Sequence, residues 1–99
     1  MFSLANKVAI ITGASRGIGK VIAKVFANAG SHVVCVARTK DAIKLLSDEI
    51  NANGGSASFQ TCDIGHGETF SSLISEIAKE LGKLDILVNN AGVTQDNLL

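Results

Sequence analysis

The sequence is poor in the residues that several functional classes require. Its 99 residues contain no proline, tyrosine or tryptophan, and only two cysteines and two histidines. Nine basic and nine acidic residues cancel to a formal net charge of zero. No broad cationic surface is therefore available to hold nucleic acid or an anionic membrane. Any recognition of phosphate must be local, and the charge balance favours a small-molecule partner.

Long hydrophobic runs and metal-binding patterns are also missing. No apolar stretch approaches the roughly 20 residues that cross a bilayer, and the N-terminus lacks a basic segment followed by an apolar one, so we expect a cytoplasmic protein. Cys35 and Cys62 lie in strand-like apolar runs, outside any Cys-x-x-Cys pair, which predicts core residues. His32 and His66 have no partner at catalytic spacing. No metal site is expected.

Four short apolar runs alternate with segments of helical periodicity. The runs cover residues 8–12, 32–37, 58–62 and 84–89, and three are almost continuously apolar, as buried parallel strands require. The intervening stripes predict three amphipathic helices. Their predicted buried residues are Ile18, Val21, Ile22, Val25 and Phe26, then Ala42, Leu45, Leu46 and Ile50, then Phe70, Leu73, Ile74, Ile77 and Leu81.

The resulting order, β-α-β-α-β-α-β, predicts the α/β class and one domain over residues 1–99. Parallel strands joined by helices form an open, doubly wound sheet of the Rossmann type. The fourth strand lies inside such a sheet in the usual strand order, so the predicted domain is an incomplete portion of that fold.

Three glycines follow the first strand at the spacing Gly13-x-x-x-Gly17-x-Gly19. A glycine cluster alone often closes a turn, but between a strand and a helix it lets a pyrophosphate approach the backbone at the helix N-terminus. The loop therefore predicts a dinucleotide-binding site.

The run Thr12-Gly-Ala-Ser-Arg-Gly-Ile-Gly19, together with Asn89-Asn-Ala-Gly92, resembles the short-chain dehydrogenase/reductase family. The resemblance covers the whole chain and implies three groups of cofactor-binding residues. These are Gly13, Ser15, Arg16, Gly17, Ile18 and Gly19 at the pyrophosphate, Asp63 and Ile64 at the adenine, and Asn90, Ala91 and Gly92 at the adenine-side ribose and the cofactor wall. The alternative interpretation of Asp63 is a plain strand-end turn residue, and Asn89 is expected to be structural support that ties neighbouring backbone together.

The end of the second strand predicts which nicotinamide cofactor is used. NAD-binding Rossmann domains place a carboxylate there for the ribose hydroxyls, whereas this chain has Ala37-Arg38-Thr39-Lys40. Arg38 is suited to a bidentate contact with a 2′-phosphate, and Arg16 of the glycine loop to an approach from the other side. The sequence favours NADP(H), with exposed surface charges as the alternative interpretation.

Residues 90–99 most resemble the 3-oxoacyl-acyl-carrier-protein reductases within this family. That resemblance implies hydride transfer to a 3-ketone on an acyl-carrier-protein thioester, in fatty acid biosynthesis, by an enzyme that is a homo-tetramer at full length. Reductases of other ketones or sugars share the earlier motifs. A nucleotide-binding module without catalysis is the alternative from another class.

The family's chemistry requires a Ser and a Tyr-x-x-x-Lys pair, in which the Lys lowers the pKa of the Tyr that passes the proton. The sequence contains no tyrosine. We therefore assign no catalytic residue, and we expect the 99-residue chain to be inactive on its own.

Overall fold

The computed structural model describes residues 3–63 and 67–90. The elements are β1 (Val8–Thr12), α1 (Gly17–Asn28), β2 (His32–Ala37), α2 (Lys40–Ala52), β3 (Ser56–Thr61), α3 (Gly67–Leu81) and β4 (Ile86–Val88). Within these residues the strands form one parallel sheet in the order β3-β2-β1-β4. The predicted α/β fold with a Rossmann-type parallel sheet is confirmed.

The first two strands have the predicted bounds, and the other two differ. β3 begins at Ser56, because its polar start pairs in register with His32 of β2, a pairing that hydrophobicity does not reveal. β4 is limited to Ile86–Val88. Just before it, the Asp85 side chain accepts a hydrogen bond from the backbone N–H of Val8 at 2.9 Å. This contact replaces a regular ladder bond at the start of the strand.

The sheet carries one hydrophobic cluster on each face. Helices α1 and α2 cover one face, and α3 covers the other. The first cluster includes Ala9, Ile11, Ala23, Ala27, Val33, Cys35, Ile43, Leu46 and Ile50. The second includes Ile10, Val34, Val36, Cys62, Leu73 and Ile77. Both cysteines are buried core residues, as predicted.

The predicted buried face of α1 is wrong in part. Ile18, Val21 and Val25 are 70%, 59% and 49% exposed. The residues of α1 that are buried are Gly19, Ala23 and Ala27. Small residues let the helix axis approach the sheet closely, so this helix packs through its least bulky side.

The predicted buried face of α2 is wrong at one position. Leu45, which was expected to be buried, is 69% exposed, and Ile43 is fully buried instead. In α3 the predicted Leu73 and Ile77 are buried, and Leu81 lies at the exposed end of the stripe. Among the described residues, no helix combines the length and the apolar character needed to span a membrane.

Candidate functional site

The carboxyl ends of the parallel strands meet at one edge of the sheet. Thr12 at the end of β1 is in register with Val36 of β2, and Ile11 is in register with Val88 of β4. Each strand end is followed by a predicted site segment: the glycine loop after β1, Arg38 after β2, Asp63 after β3 and Asn90 after β4. Ligands of open α/β sheets bind at this edge, so it is the candidate site.

The glycine loop uses backbone conformations that favour glycine. Gly13 has a φ of 63° and Gly17 a φ of 62°, both in the left-handed region. Between them, the N–H of Ala14 donates to the carbonyl oxygen of Val36 at 3.3 Å. This bond fixes the start of the loop against the end of β2.

Gly19 lies where the loop, the helix and the end of β4 meet. A Cβ at this position would overlap the carbonyl oxygen of Gly13 and lie 2.8 Å from Nδ2 of Asn90. The first turn of α1 therefore contacts the glycine loop at a distance that excludes any side chain. This close contact holds the N-terminus of α1 directly beneath the loop.

The N-terminus of α1 suits an anion. Arg16 is the N-cap residue, with an extended backbone and no side-chain capping bond, and the first turn holds no acidic residue. The first N–H groups of a helix lack intrahelical acceptors and carry a partial positive charge. Arg16 and Gly17 are exposed beside them, and Ser15 is half-buried. A phosphate group is the natural acceptor for these donors.

Two asparagines link the end of β4 to this loop. The hydroxyl of Thr12 donates to Oδ1 of Asn89, 3.2 Å away, and lies 3.3 Å from the carbonyl oxygen of Val88. Nδ2 of Asn90 donates to the carbonyl oxygen of Gly13 at 3.3 Å. Asn89 thus ties the ends of β1 and β4 together. Thr12 supports the site through the same bond, a role that the sequence pattern does not reveal.

Arg38 and Asp63 are exposed at the same edge, directly after β2 and close after β3. The two strand ends are connected, since the N–H of Cys62 donates to the carbonyl oxygen of Ala37 at 3.0 Å. Arg16, Arg38 and Asp63 thus all lie at the edge formed by the carboxyl ends of the strands. The predicted cofactor contacts Ile64, Ala91 and Gly92 lie outside the described residues, as does His66.

The two cysteine thiols near this edge are not activated as nucleophiles. Burial raises the pKa of the Cys35 thiol to about 11, and burial together with the Asp63 carboxylate raises the pKa of Cys62. Both thiols are therefore protonated at neutral pH. Within residues 3–63 and 67–90, no group of His, Cys, Asp and Glu side chains is placed to hold a metal ion.

A surface cavity of about 260 Å³ lies at the opposite edge of the sheet, between the C-terminal ends of α1 and α2. Lys24 and Glu49 line it and form an ion pair of 2.8 Å. The cavity is separate from the glycine loop and takes no part in the candidate site.

Comparison with known proteins gives consistent matches over most of the chain. A family model described as short chain dehydrogenase matches residues 7–99. A short chain dehydrogenase of Pseudocercospora fijiensis is 45% identical over 92 residues, which cover 93% of this chain and 30% of that protein. The 3-oxoacyl-[acyl-carrier-protein] reductase FabG of Escherichia coli is 42% identical over 94 residues, 95% of this chain and 37% of that protein.

Solved structures agree with these sequence matches. A metagenomic short-chain oxidoreductase in complex with NADP superposes with a TM-score of 0.86 at 40% identity, over 91% of this chain and 41% of that one. The hydroxysteroid dehydrogenase of Escherichia coli gives a TM-score of 0.83 at 47% identity, over 88% of this chain and 37% of that one. The chain thus spans about 30–41% of the length of these four proteins.

Proposed function

The chain belongs to the short-chain dehydrogenase family, and we propose that it forms the cofactor-binding part of an NADP(H)-dependent oxidoreductase. The observation that carries this proposal is the contact between Gly19, Gly13 and Asn90, which sets the uncapped N-terminus of α1 beneath an open glycine loop. That arrangement leaves room for a pyrophosphate and directs backbone donors towards it.

The residues present fit a dinucleotide. A Cβ at Gly17 would meet no described atom within 4 Å, so none of the described residues fills the space beside Gly17 at the helix N-terminus. Gly13, Ser15, Arg16, Gly17, Ile18 and Gly19 would surround the pyrophosphate. Asp63 and Ile64 would contact the adenine, while Asn90, Ala91 and Gly92 would form the wall at the adenine-side ribose. When bound, the nicotinamide supplies the hydride.

The preference for NADP(H) is attributed to Arg38 and Arg16. Both side chains are exposed at the candidate site, and no carboxylate occupies the end of β2. A guanidinium donates paired hydrogen bonds to a phosphate, whereas a carboxylate at this position would repel it. Two solved structures of related chains, the metagenomic oxidoreductase and a 3-oxoacyl-(acyl-carrier-protein) reductase of Agrobacterium tumefaciens, carry NADP.

For the complete enzyme we propose reduction of a 3-oxoacyl-acyl-carrier-protein thioester to the 3-hydroxyacyl product, as a homo-oligomer in fatty acid biosynthesis. The support is the 41–42% identity to reductases of that name from several bacteria. Reduction of a different ketone is the second candidate, because the hydroxysteroid dehydrogenase is 47% identical. The tyrosine that donates the proton in this family is not among these 99 residues.

Cofactor titration tests the proposal with the 99-residue chain. NADPH and NADH are titrated against wild type and Arg38→Ala, following cofactor fluorescence. A charge-assisted hydrogen bond contributes about 1.5–3 kcal/mol, so Arg38→Ala should weaken NADPH binding about 10- to 150-fold and leave NADH nearly unchanged.

Lys79→Ala removes an exposed cation from α3, on the opposite face of the sheet, and serves as the matched control. It should change neither affinity. Equal losses for NADPH and NADH in Arg38→Ala would show that Arg38 does not contact the 2′-phosphate. Failure of the wild-type chain to bind either dinucleotide would contradict the proposed cofactor site itself.

A further inference from the structure

The connection between α2 and β3 contains an asparagine followed directly by a glycine. Asn53 is the C-cap residue of α2, and both Asn53 and Gly54 are exposed. Of all the asparagines in the sequence, only Asn53 precedes a glycine. Glycine has no side chain to hinder attack by its own nitrogen on the preceding amide. A Cβ at Gly54 would meet no described atom within 4 Å, so the described residues do not crowd this peptide.

The reaction open to such a pair is deamidation, which needs no reagent besides water. The backbone nitrogen of Gly54 loses its proton and attacks Cγ of Asn53, and the new N–Cγ bond replaces the bond from Cγ to Nδ2. Nδ2 takes up the proton and leaves as ammonia, and a five-membered succinimide remains. Water then opens the ring at either carbonyl, which gives aspartate or isoaspartate. An amide becomes a carboxylate, so the formal net charge of zero falls by one.

The folded turn at residues 52–56 opposes this reaction. The N–H of Gly54 donates to the carbonyl oxygen of Asn51 at 3.2 Å, so the attacking nitrogen is engaged. Nδ2 of Asn53 donates to the carbonyl oxygen of Glu49 at 3.0 Å, which directs the side chain back along α2. Both bonds must break before the side chain can turn towards the Gly54 nitrogen. The reaction therefore requires local opening of the turn.

The side chain of Asn51 bridges the two ends of this turn. Its Nδ2 donates to the carbonyl oxygen of Ala57 at 3.0 Å, and its Oδ1 accepts from the N–H of Ala57 at 2.8 Å. Ala57 is in register with Val33 of the central strand β2, so the bridge is anchored to the sheet. Because Asn53 and Gly54 lie between the bridged residues, this Asn51–Ala57 clamp limits how far the turn can open.

We propose that Asn53 is a deamidation site and that the Asn51–Ala57 clamp controls its rate. In the folded chain the rate is the rate of the open turn multiplied by the fraction of time the turn is open. Asn53 lines the cavity that also holds Lys24 and Glu49, so the modification adds a carboxylate beside that ion pair. The site is remote from the glycine loop, and its test is independent of the proposed cofactor function.

Peptide mapping by mass spectrometry tests the proposal. The purified chain is incubated at mildly alkaline pH in buffer and in guanidinium chloride, and the conversion of amide to acid is followed at each asparagine. Asn53 of the wild type should convert faster than any other asparagine, and more slowly in buffer than in denaturant. Asn51→Ala should speed conversion in buffer about fivefold or more, because it removes two exposed hydrogen bonds that each contribute near the low end of the usual range.

Asp48→Ala is the matched control, since it removes an exposed side chain of the same helix, with its Lys44 ion pair, and keeps the clamp. It should leave the rate in buffer unchanged. Asn51→Asp keeps the acceptor for the Ala57 N–H and loses the donor, so its rate should be intermediate; circular dichroism verifies that each variant is folded. Conversion spread evenly over the asparagines would overturn the site. Equal rates in buffer and in denaturant, or equal rates for folded Asn51→Asp and Asp48→Ala, would overturn the control by the clamp.

Discussion

Asn90 donates a hydrogen bond from its side-chain amide to the carbonyl oxygen of Gly13, 3.3 Å away and 77 positions earlier in the sequence. The bond joins the end of β4 to the first residue of the glycine loop. Because Gly19 packs against both partners, two residues of the glycine segment and the distant Asn90 fix one another. The geometry of the candidate cofactor site is therefore determined by packing between the glycine loop, the first turn of α1 and the chain after β4.

Gly19→Ala should disrupt this contact. The added methyl group meets the Gly13 carbonyl and the Asn90 amide, and backbone atoms cannot move aside cheaply. Overpacking of this kind costs about 1–3 kcal/mol, so the urea midpoint should fall and dinucleotide affinity should fall with it. Chemical unfolding followed by circular dichroism measures the first effect, and cofactor titration the second.

Gly67→Ala is the matched control for that variant. Gly67 begins α3, and a Cβ there would meet no described atom within 4 Å. Replacing a helical glycine by alanine gains about 0.4–1 kcal/mol where the backbone is compatible. A Gly19→Ala variant as stable as Gly67→Ala would contradict the close contact described at the glycine loop.

Thr12→Val should destabilise the chain through a lost hydrogen bond. Thr12 is fully buried, and its hydroxyl donates towards Asn89 and Val88. Valine keeps the shape but removes the donor, and because Asn89 is exposed and can turn to water, the cost should be about 0.5–1.5 kcal/mol. Thr61→Val, at an exposed position of β3, should cost much less. Equal unfolding free energies for the two variants would argue against the tie between β1 and β4.

The sequence predicts strands better than it predicts which side of a helix is buried. Val8–Thr12 and His32–Ala37 were predicted to the residue, because central parallel strands are apolar on both faces. The stripe of α1 was misassigned because hydrophobicity ranks Val25 above Ala23, whereas the packing distance to the sheet selects the smaller residue. Pattern alone contains no information about that distance.

The candidate site likewise has one part that the sequence predicts and one part that only the fold reveals. The glycine loop is recognisable because its spacing is local and its chemistry follows from backbone conformation. The contacts of Thr12 with Asn89, and of Asn90 with Gly13, join residues 77 positions apart. Only the order of the strands brings β1 and β4 together, so these bonds were not derivable from local pattern.

His32 should make stability depend on pH. Its ring nitrogens lie 2.6 Å from Oγ of Ser56 and 3.1 Å from Oγ of Ser58, and partial burial lowers its pKa below the usual 6.5. The unfolded chain therefore binds a proton at higher pH than the folded chain does. Stability is fully present above about pH 6.5 and should fall as the pH drops through the lowered pKa. Urea unfolding from pH 8 to pH 5 measures the slope, and His32→Gln should reduce it. An unchanged slope in the variant would assign the effect to other groups.

The 99-residue chain should reduce no ketone, even where it binds NADPH. In this family a tyrosine passes the proton while the hydride moves, and a lysine lowers the pKa of that tyrosine. The chain has no tyrosine, and its buried thiols are held protonated by raised pKa values. NADPH absorbance is followed with an acetoacetyl thioester, beside a full-length 3-oxoacyl-acyl-carrier-protein reductase as the positive control. Steady oxidation in proportion to the concentration of the purified chain would show that another group supplies the proton.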